Sequence, residues 1–257
     1  MERELTPDEL YSNGGRYFLA SVSIDNVIFG FHGNELKVLL LQPKGTDKWM
    51  LPGGFILKEE EMEAAAARIL KNRTGLDQLF LQQFHVFGSM ERNREQVLHD
   101  ILEAAGVVPT DRNWLLQRFI TIGFYTLAPY DKVQPLPDMF STQCTWHDLG
   151  HLPGLLYDHR QIVEQALQAL RLQLNHQPIG YNLLPEQFPL KSLQTIYETI
   201  LGRKLERSNF NRKILSYGIL EKKEKLFSGA AHKAPFLYSF NKEAYFNALK
   251  NGLEKEF

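Results

Sequence analysis

The chain has 257 residues, of which 44% are hydrophobic and 23% charged, with a formal net charge of −1. This is the composition of a soluble globular protein of one large or two modest domains. It excludes a membrane-spanning class, because no apolar run approaches the roughly 18 residues a span needs.

The polar, acidic start "MERELTPDEL" does not read as a signal peptide. Residues 17–42 read as two strands broken by turn formers at "HGNE", and "KWMLPGGF" as a short strand ending in two glycines. Residues 58–74 read as a helix with acids crowding its first turns and Gly75 as its stop. "LFLQQFHVFG" and "RFITIGFYTLAP" are further strands. The segment between them, 91–105, predicts an extra amphipathic helix with Val97, Ile101 and Leu102 on one face. Cys144 is the only cysteine, so no intrachain disulfide is possible and a reducing, cytoplasmic setting is expected. Residues 158–175 predict a long helix with Ile162, Ala166, Leu167, Leu170 and Leu174 at helical spacing. Asp158-His159 at its start suits a helix cap better than a ligand-facing pair. Strands and helices mixed in this way indicate a layered α+β domain.

"NHQPIGYN" (175–182) is the expected linker between domains of 1–174 and 183–257. Beyond it the pattern changes. "PLKSLQTIYETIL" is a helix with Leu190, Leu193, Ile196, Tyr197 and Ile200 on one face. "ERSNFNRKILSYG" is a second helix ended by Gly218, with Phe210, Ile214 and Leu215 expected to pack inward. "ILEKKEKLF", the turn "SGAAHKAP" and "FLYSF" complete a basic hairpin. Helix, turn, helix, hairpin is the order of a winged helix-turn-helix. Residues 183–257 carry 13 Lys+Arg against 8 Asp+Glu, whereas the remainder of the chain is net acidic. A basic domain beside an acidic one suits contact with a polyanion.

From Gly54 to Leu76 the chain resembles the Nudix box, G-x5-E-x7-R-E-U-x-E-E-x-G-U. Gly54, Glu60, Arg68, Leu70, Gly75 and Leu76 fall in register, and "LPGG" precedes them. The resemblance covers residues 17–172 and implies a Nudix α/β/α sandwich. The family's catalysis is a metal-assisted attack on a diphosphate, with the box glutamates holding Mg²⁺. In this chain those positions are Ile69, Asn72 and Arg73. Mg²⁺ needs oxygen ligands, mostly anionic. Ile69 has none, Asn72 has one neutral carbonyl, and Arg73 is a fixed positive charge that repels the ion by several kcal/mol. Glu59, Glu60, Glu61 and Glu63 lie nearer the helix start and read as a solvated, dipole-favoured first turn. No catalytic residue, metal ligand or cofactor is therefore assigned, and the chain is not expected to be an enzyme.

The two domains together resemble the Nudix-related transcriptional regulators, the NrtR-like family, with the sugar-responsive branch as the expected place within it. The likeness rests on "WHDLGHLPGLLYDHRQIVEQALQALR", "LLPEQFPLKSLQTIYETILGRKLERSNFNRK" and the wing "SGAAHKAPFLYSF". It departs from the family at Asn211, in the usual N-F-R-R-K, and at Ala231-His232-Lys233-Ala234-Pro235, in the usual G-R-P-A. The resemblance implies that double-stranded operator DNA and a small-molecule effector are the partners. Arg207, Asn209, Asn211, Arg212 and Lys213 on the second helix carry side chains suited to base edges. Lys222, Lys223, Lys225, His232 and Lys233 on the wing suit phosphate or the minor groove. Trp49, Phe55, Arg73 and Arg118 are expected to border the effector pocket, although Trp49 and Phe55 could equally be core. A sugar or sugar phosphate is favoured as effector over ADP-ribose. A homodimer matches the symmetry of a near-palindromic site. A diverged hydrolase of a nucleoside diphosphate derivative and a protein-interaction scaffold are the competing classes.

Overall fold

A computed structural model of the chain describes residues 5–77, 79–92, 95–110, 113–225 and 235–253. The chain divides into two compact units: residues 1–30 with 37–166, and residues 31–36 with 167–257. No helix among the described residues is long and apolar enough to cross a membrane.

β1 (Phe18–His32) and β2 (Glu35–Pro43) are long apolar strands that belong to the first unit except at residues 31–36. They are joined by Gly33 and Asn34, both at positive φ, as a two-residue hairpin turn requires. β3 (Gly53–Leu57) runs antiparallel to β1. It begins at the two glycines rather than ending on them. A side chain on Gly53 would meet the Asp25 carboxylate at 2.6 Å, and one on Gly54 would meet Ile69 at 2.9 Å, so a larger residue at either position would have to displace Asp25 or Ile69. β4 (Gln82–Phe87), β5 (Ile120–Leu127) and β6 (Ser141–Asp148) complete a mixed sheet of order β4-β5-β1-β2-β6, with β5 parallel to β1.

Helix α2 (Met62–Thr74) packs on this sheet. Ala65, Ala66 and Ile69 sit with Ile24, Ile56 and Phe124, while Leu70 joins Ile28, Leu39, Leu41 and Cys144. The small alanines let the helix approach closely, and buried Asn26 donates to the Ala66 carbonyl at 3.0 Å. Gly75 ends α2 in the left-handed conformation. The helix starts at Met62, four residues later than the sequence suggests, so Glu59, Glu60 and Glu61 precede it.

Two further helices belong to this unit. α1 (Pro7–Tyr17) is one the sequence reading passed over. Thr6 and Glu9 form a reciprocal capping box with Pro7 at the first position. α3 (Glu95–Ala104) is the insert. Its Ile101 and Leu102 are buried, and Leu102 packs with Tyr11 of α1, Val107 and Leu115. α4 (His159–Gln173) spans the division between the units.

The second unit is a winged helix. α5 (Leu190–Leu201) buries Leu193, Ile196, Tyr197 and Ile200, and its Gly202 cap is left-handed. The turn that follows is fixed by Glu198, whose carboxylate accepts from the Leu205 amide, Lys204 and Gln194. These contacts, the Leu205 amide foremost, pull its carboxyl down to about 2. α6 (Arg207–Ser216) starts where Glu206 accepts from the amides of Ser208 and Asn209. A small sheet of order β7-β9-β8 follows, from β7 (Phe188–Pro189), β8 (Leu220–Lys225) and β9 (Phe236–Phe240). α7 (Lys242–Asn251), capped by Asn241, is a second helix absent from the sequence reading.

Candidate functional site

The first unit holds a cavity of about 890 Å³. The C-terminal half of α2 forms one wall, contributing Arg68, Ile69, Asn72 and Arg73. β3 brings Gly53, Gly54 and Phe55. α1 brings Leu10, Asn13 and Tyr17, and α3 brings Leu98, Ile101 and Leu102. The insert therefore closes a side of the cavity. The sequence signal for the α1 wall was the capping box Thr6-Pro7-Asp8-Glu9, readable but unused.

Of the expected effector residues, Phe55 and Arg73 line this cavity, and Trp49 and Arg118 do not. Trp49 packs edge-on against His147 at 4.2 Å between centroids, and its backbone bridges to Leu155. Arg118 is exposed and donates to the Gly88 carbonyl. Being next to a glycine turn or on the approach to a strand did not decide which way these side chains point. Phe55 belongs to an aromatic cluster with Phe18, Trp114 and Phe119, at 5.7, 4.8 and 5.4 Å. Packing and cavity lining are thus not alternatives for this residue.

Glu60 is not a solvated first-turn acid. Arg68 grips it with two bonds of 2.7 Å and also donates to the Phe55 carbonyl, while the Leu57 amide donates to Glu60. Burial pushes the Glu60 carboxyl up, but the Arg68 bonds, the Leu57 amide and the Arg68 charge outweigh it and hold it below its ordinary range. This pair clamps the loop before α2 to the helix.

A second polar cluster borders the cavity from residues distant in sequence. Arg92 donates to Asp25 of β1 and to Asp158, both at 3.2 Å, and the three side chains are 10%, 8% and 15% exposed. Asp158 therefore pairs with Arg92 rather than capping α4 as expected: among the described residues its Oδ1 has no hydrogen-bond partner, so its side chain makes no bond to the helix amides. His159 is fully enclosed. Its Nδ1 accepts from the Leu51 amide at 2.9 Å, which places the ring proton on Nε2, 3.7 Å from Asp25. Burial lowers its pKa, against the raising effect of Asp25, so the ring is neutral. Tyr157 beside it has a positive φ of 51°, and burial raises its hydroxyl to about 12.

In the second unit, α6 buries Phe210 and Ile214. Leu215, expected inside, is 42% exposed, because five residues beyond Phe210 it lies well round the helix. Arg207, Asn209, Arg212 and Lys213 are exposed and Asn211 is half-buried. Arg212 donates to Asn209 at 2.8 Å. On the wing, Lys223 bonds to Glu221 at 2.8 Å, whereas Lys222 and Lys225 lie over the Phe236 ring at 3.6 and 5.0 Å. His232 and Lys233 lie outside the described residues.

Residues 21–169 match the model of the NUDIX domain, and residues 180–240 match that of the NrtR DNA-binding winged helix domain. The chain belongs to the NrtR-like Nudix family. One relative is the ADPR responsive transcriptional repressor NtrR of Acinetobacter baylyi, 28% identical over 232 residues, covering 87% of this chain and 83% of that one. Among solved structures, Shewanella oneidensis NrtR complexed with a 27mer DNA superposes with a TM-score of 0.68 at 23% identity, over 92% of this chain and 99% of that one. A MutT/nudix family protein from Enterococcus faecalis gives 0.62 at 20% identity, over 88% of each. These two likenesses are of fold.

The Nudix family implies a divalent cation at the box. The side chains of this NrtR-like chain do not fit one. Ile69 is 3% exposed and part of the apolar core, and Arg73 presents a guanidinium to the cavity. The box glutamate that remains, Glu60, is held by Arg68. Among the described residues no group of three His, Cys, Asp or Glu is placed to hold an ion. A hard dication would meet an apolar side chain, a neutral amide and a like charge.

Proposed function

We propose that the chain is an effector-responsive transcriptional repressor that binds operator DNA through its winged helix and senses ADP-ribose in its Nudix cavity. One observation carries this reading: a relative named for ADP-ribose-responsive repression aligns through both domains, over 87% of this chain. The lean in the sequence toward a sugar or sugar phosphate has no support from that relative, and ADP-ribose replaces it. The domain limits, the named α6 and wing side chains as DNA contacts, and a homodimer on a near-palindromic site are parts of the same proposal.

The test is fluorescence anisotropy of labelled operator with the full chain in EDTA. ADP-ribose, arabinose and a pentose phosphate are added in turn, and the nucleotide is recovered afterwards. Release of DNA by ADP-ribose, recovered intact, is expected, because a ligand shifts DNA affinity only by binding the two states unequally. Release by a sugar alone would replace the effector. Breakdown of ADP-ribose in a parallel incubation with Mg²⁺ in place of EDTA, lost in Glu60→Gln, would favour a diverged hydrolase instead.

The wing gives a separate expectation. Lys222→Ala and Lys225→Ala should each weaken binding to all sequences alike and flatten the salt slope by about one unit, as loss of one phosphate contact does. Lys223→Ala should do less, because its ammonium is already bonded to Glu221. Equal effects at all three positions, measured over a salt series, would remove the distinction.

A further inference from the structure

Among the described residues the cavity presents three cations: Arg68, Arg73 and Arg92. Arg68 is paired with Glu60, and Arg92 with Asp25 and Asp158. Arg73 has no carboxylate within ion-pair distance among the described residues. Among the described residues its Nη1 makes only two long contacts of 3.5 Å, to the carbonyls of Asn72 and Leu136. Its Nε is buried and has no hydrogen-bond partner among the described residues.

A guanidinium with Nε buried without an acceptor and only long contacts at Nη1 is under-satisfied, and an anion meeting its exposed terminal nitrogens relieves that. The α2 C-terminus beside it carries a partial negative charge of about half a unit. A full guanidinium charge outweighs that, so this end of the cavity remains net positive. The neighbouring Asn72 is exposed, also lines the cavity, and offers amide donors. Both residues stand where the Nudix box calls for metal-binding carboxylates.

We propose that Arg73, assisted by Asn72, replaces the metal as the counter-charge for a phosphoryl anion, so that the cavity binds a diphosphate directly and without a divalent cation. The proposal rests on the effector reading in that the diphosphate of ADP-ribose is its natural occupant. The chemistry required is only that of a phosphate oxygen accepting from a guanidinium, in a geometry suited to two-point contact. Mg²⁺ becomes a competitor in this arrangement. It neutralises the diphosphate in solution and cannot follow it into a site that already carries a positive charge.

Calorimetric titration of ADP-ribose, inorganic pyrophosphate and a pentose phosphate into the full chain tests this, for wild type, Arg73→Gln and Asn72→Asp, each in EDTA and in excess Mg²⁺. Wild type should bind ADP-ribose and pyrophosphate in EDTA, with Mg²⁺ leaving the Kd unchanged or raising it. Arg73→Gln should weaken both ligands by about tenfold to a hundredfold, as loss of a charged hydrogen bond does. Asn72→Asp alters an exposed side chain and decides the matter if Arg73→Gln folds poorly. A new carboxylate there should weaken both ligands in EDTA by about tenfold, as an unfavourable charge pair worth about 1.4 kcal/mol does. ADP-ribose bound equally by wild type and both variants, or bound only with Mg²⁺, overturns the Arg73 site and leaves the effector reading standing. Pyrophosphate or pentose phosphate bound through Arg73 while ADP-ribose is not bound supports the anion site and overturns the effector reading. Binding of none of the three overturns both.

Discussion

Arg92→Ala should lower the unfolding free energy by about 3–5 kcal/mol, the loss seen when one member of a buried ion cluster is removed. Arg92 lies between Asp25 on β1 and Asp158 before α4, and all three side chains are largely shielded from water. Removing the cation leaves two largely buried carboxylates with no compensating charge, reached by water from the cavity side. The penalty is that of the stranded charges rather than of the bonds themselves. Adding Asp25→Asn and Asp158→Asn to Arg92→Ala should therefore recover most of the loss, which no packing explanation predicts. Denaturant midpoints of the three chains decide it, with no recovery in the triple variant counting against the cluster. Arg92 also precedes α3, whose Leu98, Ile101 and Leu102 line the cavity. The single variant should lose effector affinity as this wall loosens.

Arg212→Ala is expected to cost about 1–3 kcal/mol in operator binding and to relax base preference, because two-point contacts to base edges carry sequence information. The 2.8 Å bond from Arg212 to Asn209 adds a second expectation. Asn209 fixes the orientation of the guanidinium fork, so the two residues act as a unit. The double variant should then lose less than the sum of the single variants. Anisotropy against the operator and a set of single-base variants at fixed salt provides both readings. Unchanged affinity and specificity in Arg212→Ala would show that α6 is not the reading helix. Neither substitution touches the packed face formed by Phe210 and Ile214, so folding is not at issue.

The sequence by itself determined much of this protein. The spacing from Gly54 to Leu76 located the box and its helix, because a glycine approach, a charged clamp and a helix stop must fall at fixed intervals along one chain. The replacement of the ligands was legible for the same reason: Ile69, Asn72 and Arg73 differ from carboxylates in chemistry, whatever surrounds them. Helical periodicity located α5 and α6 and most of their buried faces. It failed at Leu215, because a run of apolar residues extends further round the helix than the face that packs.

Only the tertiary structure decided the rest. The Arg92 cluster joins residues 25, 92, 158 and 159, which no local pattern relates. Trp49 and Arg118 were placed at the pocket by sequence neighbourhood, but side-chain direction follows from what each strand packs against, and both turn elsewhere. Glu60 read as one of several solvated acids although its spacing to Arg68 fits the box, and only the folded loop before α2 shows that Arg68 grips it. The isolation of Arg73 is likewise a property of the folded cavity. A sequence states that a charge is present, and only the assembled walls show which charges are already answered.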